Sequence, residues 1–299
     1  MRFIHGIIGY KQAAEKIGGF MSFVVRRMTR KDLDVAISWA AKEGWNPGLH
    51  DAEAFYAVDP RGYFMGFLDD KPVASLSAVS YPGRFGFLGF YIVKSEHRGK
   101  GYGWAVWQEA MKYLQSHNVG LDGVVAQQEN YKKSGFARAY ANIRYEGVGE
   151  NVEKKSKYIF PIAKLPLNTL LAYDRQMFPA ERSLFLKLWV QQPESLALGY
   201  MKNRKLLGYG MVRKCTVGYK VGPLFADNAK IADELFQQFR TFVGKDKIYL
   251  DVPETNKKAV ALAKRYKMKP MFETARMYTK QIPAIQLRKV FGVTTFELG

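Results

Sequence analysis

Phe87-Leu88-Gly89-Phe90-Tyr91-Ile92-Val93-Lys94-Ser95-Glu96-His97-Arg98-Gly99-Lys100-Gly101-Tyr102-Gly103-Trp104-Ala105-Val106-Trp107 is the stretch that decides the fold of this 299-residue chain. It reads as an apolar strand to Val93, a short polar bend, glycines at positions 99, 101 and 103, and then an amphipathic helix. Alternate glycines let the backbone take conformations closed to other residues and let a ligand approach the main chain. Unpaired N–H groups at a helix start attract anions, and the helix dipole favours negative charge there. Arg98 and Lys100 add positive charge at the same place, so the segment predicts a diphosphate site. A P-loop is excluded, because no run of Gly, four residues, Gly-Lys and Ser or Thr exists. A dinucleotide turn would need its glycines directly after the strand, whereas five residues intervene here. Asp122 does lie about twenty residues on, where a ribose-binding acid would sit. On the residues alone, a dinucleotide site and a plain glycine turn therefore stay open.

The segment resembles the acyl-CoA loop of the GNAT superfamily of N-acetyltransferases. That loop carries Gln or Arg, two residues, Gly, one residue, and Gly or Ala, after a strand ending Val-x-Pro. Arg98, Gly101 and Gly103 fit its fixed positions, and Val93-Lys94-Ser95 fits the approach, with Ser95 in place of proline. The resemblance implies that the amides from Gly99 through Lys100, Gly101, Tyr102 and Gly103 to Trp104 hold the diphosphate of acetyl-CoA. It also implies that the strand edge at Tyr91, Ile92 and Val93 pairs with the pantetheine arm. A second piece follows: a strand Val119–Val124, a short helix from Gln127 to Ser134, then Gly135-Phe136. Tyr131-Lys132-Lys133-Ser134-Gly135-Phe136 is similar to the family's Tyr-x-x-x-Gly-Phe, whose tyrosine protonates the leaving CoA sulfur. Read without the resemblance, Tyr131 is a helix tyrosine packing a core with its hydroxyl at the surface. Val124 stands where the family often has an asparagine, so the resemblance implies no contact to CoA from that position.

Composition sets the bounds. The hydrophobic content of 47% suits a globular chain long enough for two domains. No apolar run reaches the ~18–20 residues needed to span a bilayer as a helix. The single cysteine, Cys215, excludes an internal disulfide and predicts a cytoplasmic setting. Four scattered histidines offer no metal-ligand spacing, so no metal is expected. The net charge of +19 is uneven: residues 151–299 hold 27 Lys and Arg against 12 Asp and Glu. Such a field favours anionic partners, CoA among them. The basic residues are dispersed rather than gathered in a stripe, which argues against nucleic acid as a partner.

Residues 1–21 are basic and glycine-interrupted and are expected to be a disordered extension rather than a targeting signal. Residues 22–148 alternate strands and helices around a hairpin-rich middle, followed by a polar linker at 149–166. Residues 167–299 repeat the plan more faintly, with Leu250-Asp251 echoing Leu121-Asp122. Their chemistry does not repeat. Gly222-Pro223-Leu224-Phe225-Ala226-Asp227 replaces the glycine loop, and Ala263 stands where the tyrosine would be. The fold expected is α/β (α+β): two tandem GNAT-like lobes, each a mixed, mostly antiparallel sheet flanked by helices, with a catalytic first lobe and a divergent second.

The resemblance implies an acetyl-CoA-dependent N-acetyltransferase, with direct attack on the thioester by a primary amine of a small molecule, amino acid or peptide. A non-catalytic acyl-CoA sensor is the alternative. The strand before the loop carries no acid, which leaves Asp122 as the candidate general base; it could equally tie down a glycine-rich turn. Trp45, Asn46 and His50 lie in a loop that would overhang the acceptor amine. The same loop also reads as a helix entry with Asp51 at its N-terminus.

Overall fold

The computed structural model describes residues 22–151 and 156–299, so the extension expected at 1–21 lies outside the described residues. The first lobe opens with β1 (Phe23–Arg27) and α1 (Arg30–Lys42). A capping box starts α1: the Thr29 hydroxyl accepts from the Asp32 amide at 3.2 Å, and the Asp32 carboxylate accepts from the Thr29 amide at 2.8 Å. Next come α2 (Asp51–Val58), β2 (Tyr63–Leu68), β3 (Lys71–Tyr81) and β4 (Phe85–Val93). The lobe continues with α3 (Tyr102–Tyr113), β5 (Asn118–Val124), α4 (Gln128–Lys133) and β6 (Ala137–Val148). A short strand, β7 (Ile159–Pro161), precedes α5 (Leu167–Asp174) and α6 (Ser183–Trp189). The second lobe then runs through β8 (Ser195–Lys202), β9 (Lys205–Lys214), β10 (Tyr219–Ala226), α7 (Ala229–Val243), β11 (Lys247–Pro253) and α8 (Lys257–Arg265). It closes with β12 (Lys269–Tyr278) and β13 (Val290–Gly292).

Among the described residues these strands form one sheet in the order β1-β2-β3-β4-β5-β12-β6-β11-β10-β9-β8-β7, with β13 added on β10. Most neighbours are antiparallel; β4–β5 and β10–β11 are parallel, one such pair in each lobe. The two closing strands are exchanged. β12, from the second lobe, lies between β5 and β6, pairing Arg276 with Asp122 and Thr274 with Asn142. β6, from the first lobe, runs on to pair with β11 from Asn142 to Val148. Neither lobe completes its sheet without the other.

On one face of the first lobe, α3 and α4 bury Val106, Trp107 and Tyr131 against Leu76, Leu88 and Leu121. On the other face, α1, α2, α5 and α6 share a single core with residues of both lobes. There Phe55 stacks on Trp189 at 5.8 Å and 15°, and Arg213 reaches across to Asp51 at 2.7 Å. In the second lobe α7 and α8 cover β9 to β11. Because the exchanged strands and this shared core tie the lobes together, the chain is expected to unfold in one cooperative step. Far-UV circular dichroism and tryptophan fluorescence should give coincident thermal transitions; two separated transitions would show that the lobes unfold independently.

Candidate functional site

β4 and β5 pair only from Phe85–Asn118 to Leu88–Leu121 and then part. Two features open the β4 edge beyond that point. The register with β3 slips between Ser75 and Ser77, leaving an extra residue in β4, and Phe90 takes a positive φ of 48°. The buried Ser75 hydroxyl donates to the Phe90 carbonyl at 2.8 Å. Because the carbonyl and N–H of a trans peptide point opposite ways, this bond turns the Tyr91 N–H away from Ser75.

The gap between the parted strands is a cavity of about 450 Å³. Its first-lobe wall includes Tyr91, Ile92, Val93, Trp107, Val124, Gln127 and Tyr131. The exchanged β12 contributes Phe272 and Thr274, and the 290–299 segment contributes Phe296 and Glu297. The site is therefore built by both lobes.

Tyr131 lies at the end of the cavity near α3, stacked on Trp107 at 5.8 Å and only 8% exposed. A Cβ on Gly123 would fall 2.3 Å from its ring, so the glycine is what admits it. Its hydroxyl has no hydrogen-bond partner among the described residues. Burial pushes its pKa up to about 12, which keeps the phenol protonated at neutral pH.

At the mouth of the cavity, Arg98 donates to the Val93 carbonyl at 2.9 Å and pairs with Glu43 at 2.5 Å. Beyond it Gly99 and Gly101 take φ of 75° and 83°, and α3 begins. The amides from Gly99 to Trp104 have no acceptor among the described residues, and Gly99, Lys100 and Gly101 are exposed. Lys100 Nζ donates to the Glu96 carbonyl at 2.9 Å. The Tyr102 ring stacks on Phe23 at 4.6 Å, Gly103 packs on Val93 and Tyr91, and the Trp104 side chain is exposed. These residues thus offer main chain to a ligand rather than side chains.

Asp122 lines the cavity floor, yet its carboxylate is already engaged. Arg276 of β12 donates to both oxygens, at 2.8 and 2.6 Å, and Asn142 donates at 2.8 Å. Burial pushes this carboxyl up, while Arg276 and Asn142 pull it back. Of the acceptor-loop residues, Trp45 lines the cavity. Asn46 and His50 do not. Asn46 forms paired hydrogen bonds with the Val217 backbone at 2.9 and 2.8 Å, and His50 lies 3.1 Å from Glu194. Both face second-lobe turns, and the loop is a helix entry, with Asp51 accepting from the Gly48 amide at 2.9 Å.

Sequence reading missed Phe272, Thr274, Phe296 and Glu297. The signal for the last two was Val290-Phe291-Gly292-Val293-Thr294-Thr295-Phe296-Glu297-Leu298, an apolar run with one charge in a strongly basic chain. Among the described residues no group of three or more His, Cys, Asp or Glu gathers as metal ligands would, and no helix is long and apolar enough to cross a membrane.

Comparison with known proteins bears on both lobes. Residues 31–136 match a model described as the acetyltransferase (GNAT) family, and residues 170–292 match a second, described as an acetyltransferase (GNAT) domain. The chain is 29% identical over 270 residues to a holothin acyltransferase of Pseudoalteromonas sp. (strain SANK 73390), covering 90% of this chain and 92% of the relative. Its fold is similar to that of a putative acetyltransferase from Pyrococcus horikoshii, with a TM-score of 0.81 at 21% identity over the full length of both chains. It is also similar to a tandem GNAT protein from the clavulanic acid biosynthesis pathway, with a TM-score of 0.62 at 11% identity, over 86% of this chain and 98% of the other.

Proposed function

The chain belongs to the GNAT superfamily of acyltransferases as a tandem pair of GNAT domains, and we propose that it transfers an acetyl group from acetyl-CoA to a small primary amine in the first lobe. The observation that carries this reading is the parted edge of β4 beside Tyr131, with the free amides of Gly99–Trp104 at its outer end. A CoA diphosphate fits those amides and the positive end of α3. The pantetheine arm then runs along Tyr91, Ile92 and Val93 as an added strand, toward Tyr131 and Trp107. The Tyr91 N–H, turned away from Ser75, is the donor for the thioester oxygen. One such preorganised donor is worth about 2.7–4 kcal/mol in the transition state. Tyr131 supplies the proton to the departing sulfur.

In the second lobe the equivalent edge is already filled, because β13 pairs with β10 at Leu224–Gly292 and Phe225–Val290. That supports a single acyl-CoA site per chain. The test is calorimetry with acetyl-CoA, together with thiol release across a panel of amines. One acetyl-CoA per chain and amine-dependent thiol release are expected; absence of binding would overturn the reading.

A further inference from the structure

Among the described residues three carboxylates line the cavity: Glu43, Asp122 and Glu297. Two are committed to cations, Glu43 to Arg98 at 2.5 Å and Asp122 to Arg276 at 2.6 Å. Glu297 forms no ion pair among the described residues; the nearby cations Arg144 and Arg213 are committed to Asp251 and Asp51, and Lys220 lies within electrostatic reach of it without touching it. One of its oxygens accepts from the Thr295 hydroxyl at 2.7 Å, and the other, Oε1, has no partner among the described residues. The same lining holds a second unspent polar group, the Thr274 hydroxyl, which is buried without a hydrogen bond.

Glu297 is held firmly. The segment that carries it is anchored by β13 on β10, by the Val293 amide on the Asp251 carbonyl at 2.9 Å, and by Arg182 on the Thr294 hydroxyl at 3.0 Å. Beyond it, the Tyr81 hydroxyl donates to the Leu298 carbonyl at 3.1 Å. The chain passes so close to β4 that a Cβ on Gly89 would lie 2.2 Å from the Glu297 carbonyl oxygen. Gly89 immediately precedes the Phe90–Tyr91 bulge, so Glu297 sits beside the main chain that would receive the thioester. The walls around it are aromatic: Trp45, Phe272 and Phe296, the last two rings 6.3 Å apart. Among the described residues Arg98 is the one cation lining the cavity, and it is spent on Glu43.

We propose that Glu297 is the catalytic carboxylate that receives the acceptor amine and takes its proton. We further propose that the acceptor is a small amine on a flat apolar body with no carboxylate or phosphate of its own. An acceptor's own anion would find no free cation in this lining and would repel Glu297, whereas an ammonium group is drawn to it. This assignment rests on the acetyl transfer proposed above.

The step balances. Glu297 removes one proton from the ammonium, and the nitrogen lone pair forms the C–N bond to the acyl carbon. Charge gathers on the thioester oxygen and then returns to break the C–S bond. The sulfur takes the Tyr131 proton, Tyr131 regains one from the nitrogen, and Glu297 passes its proton to solvent. Ammonium and thioester become amide, thiol and one free proton.

The test uses the full chain, acetyl-CoA and two pairs of probes that differ by a carboxylate: phenethylamine against phenylalanine, and tryptamine against tryptophan. The decarboxylated amines are expected to have at least ~10-fold higher kcat/KM, because an unmatched buried charge is costly. E297Q should lower kcat about 10²–10⁴-fold, as loss of a general base does, with the calorimetric Kd for acetyl-CoA within about twofold of the parent. E297D keeps the charge but withdraws it by one methylene; it should fold as the parent does and lose about tenfold in kcat. Parental turnover in E297Q and E297D, or preference for the amino acids, overturns the assignment while acetyl transfer stands. Bound acetyl-CoA with transfer to none of the four overturns the acceptor class. Failure of the parent chain to bind acetyl-CoA overturns the underlying reading, and this assignment with it.

Discussion

Replacing Tyr131 by phenylalanine is expected to lower kcat about 10²–10⁴-fold while leaving the Kd for acetyl-CoA within about twofold. The substitution removes one oxygen and keeps the ring that stacks on Trp107 at 5.8 Å, so the cavity keeps its wall. The lost hydroxyl has no partner among the described residues, so its removal orphans no buried group there and little stability is at stake. What disappears is a donor whose pKa, pushed up to about 12 by burial, holds its proton until charge develops on sulfur. A thiol titrates near ~8.5, so full transfer from this phenol to a thiolate is uphill on its own. The transfer becomes favourable only as the nitrogen returns a proton to Tyr131, which makes the hydroxyl specific to the transition state. Stopped assays of thiol release with calorimetry on the same samples separate the two quantities. Turnover at the parental rate would remove Tyr131 from the proton path.

The first lobe was legible in the sequence because its signals are local. The run from Phe87 to Trp107 holds strand, bend, glycines and helix within about twenty residues, and each constrains the next. The short helix that carries Tyr131 was readable for the same reason, since Gly135-Phe136 marks its end. The strand exchange was not legible. β5 and β11 both carry Leu-Asp, and β6 and β12 are each long enough to serve either, so residue pattern cannot say which pairs with which. Asn46 and His50 failed for a related reason. Their partners, Val217 and Glu194, lie 171 and 144 residues away, beyond any local reading. Part of the cavity wall was hidden from a reading of the first lobe alone, because Phe272 and Thr274 come from the exchanged β12 and Phe296 and Glu297 from the segment after it.

Asp122→Leu is expected to destabilise the chain by about 3–5 kcal/mol, because it leaves Arg276 buried without its counter-charge. At roughly 2–4 °C per kcal/mol for a chain of this size, the thermal midpoint should fall on the order of 10 °C. Arg276 is 6% exposed, and Asp122 holds its guanidinium firmly protonated, so it cannot escape the cost by losing its charge. The double variant Asp122→Leu with Arg276→Met removes both charges and should recover the part of the loss due to the unpaired guanidinium, leaving only the cost of the Asn142 amide that donated to Asp122 at 2.8 Å. This cycle also separates the two roles open to Asp122. As a general base it would be missed equally in the single and double variants, and kcat would stay low in both. As the tie between β5 and the exchanged β12, it would be dispensable once the pair is gone, and kcat would return with stability. The bidentate bond at 2.8 and 2.6 Å leaves Asp122 no oxygen free of Arg276, so recovery of kcat in the double variant is the expected result, measured by thiol release below both thermal midpoints.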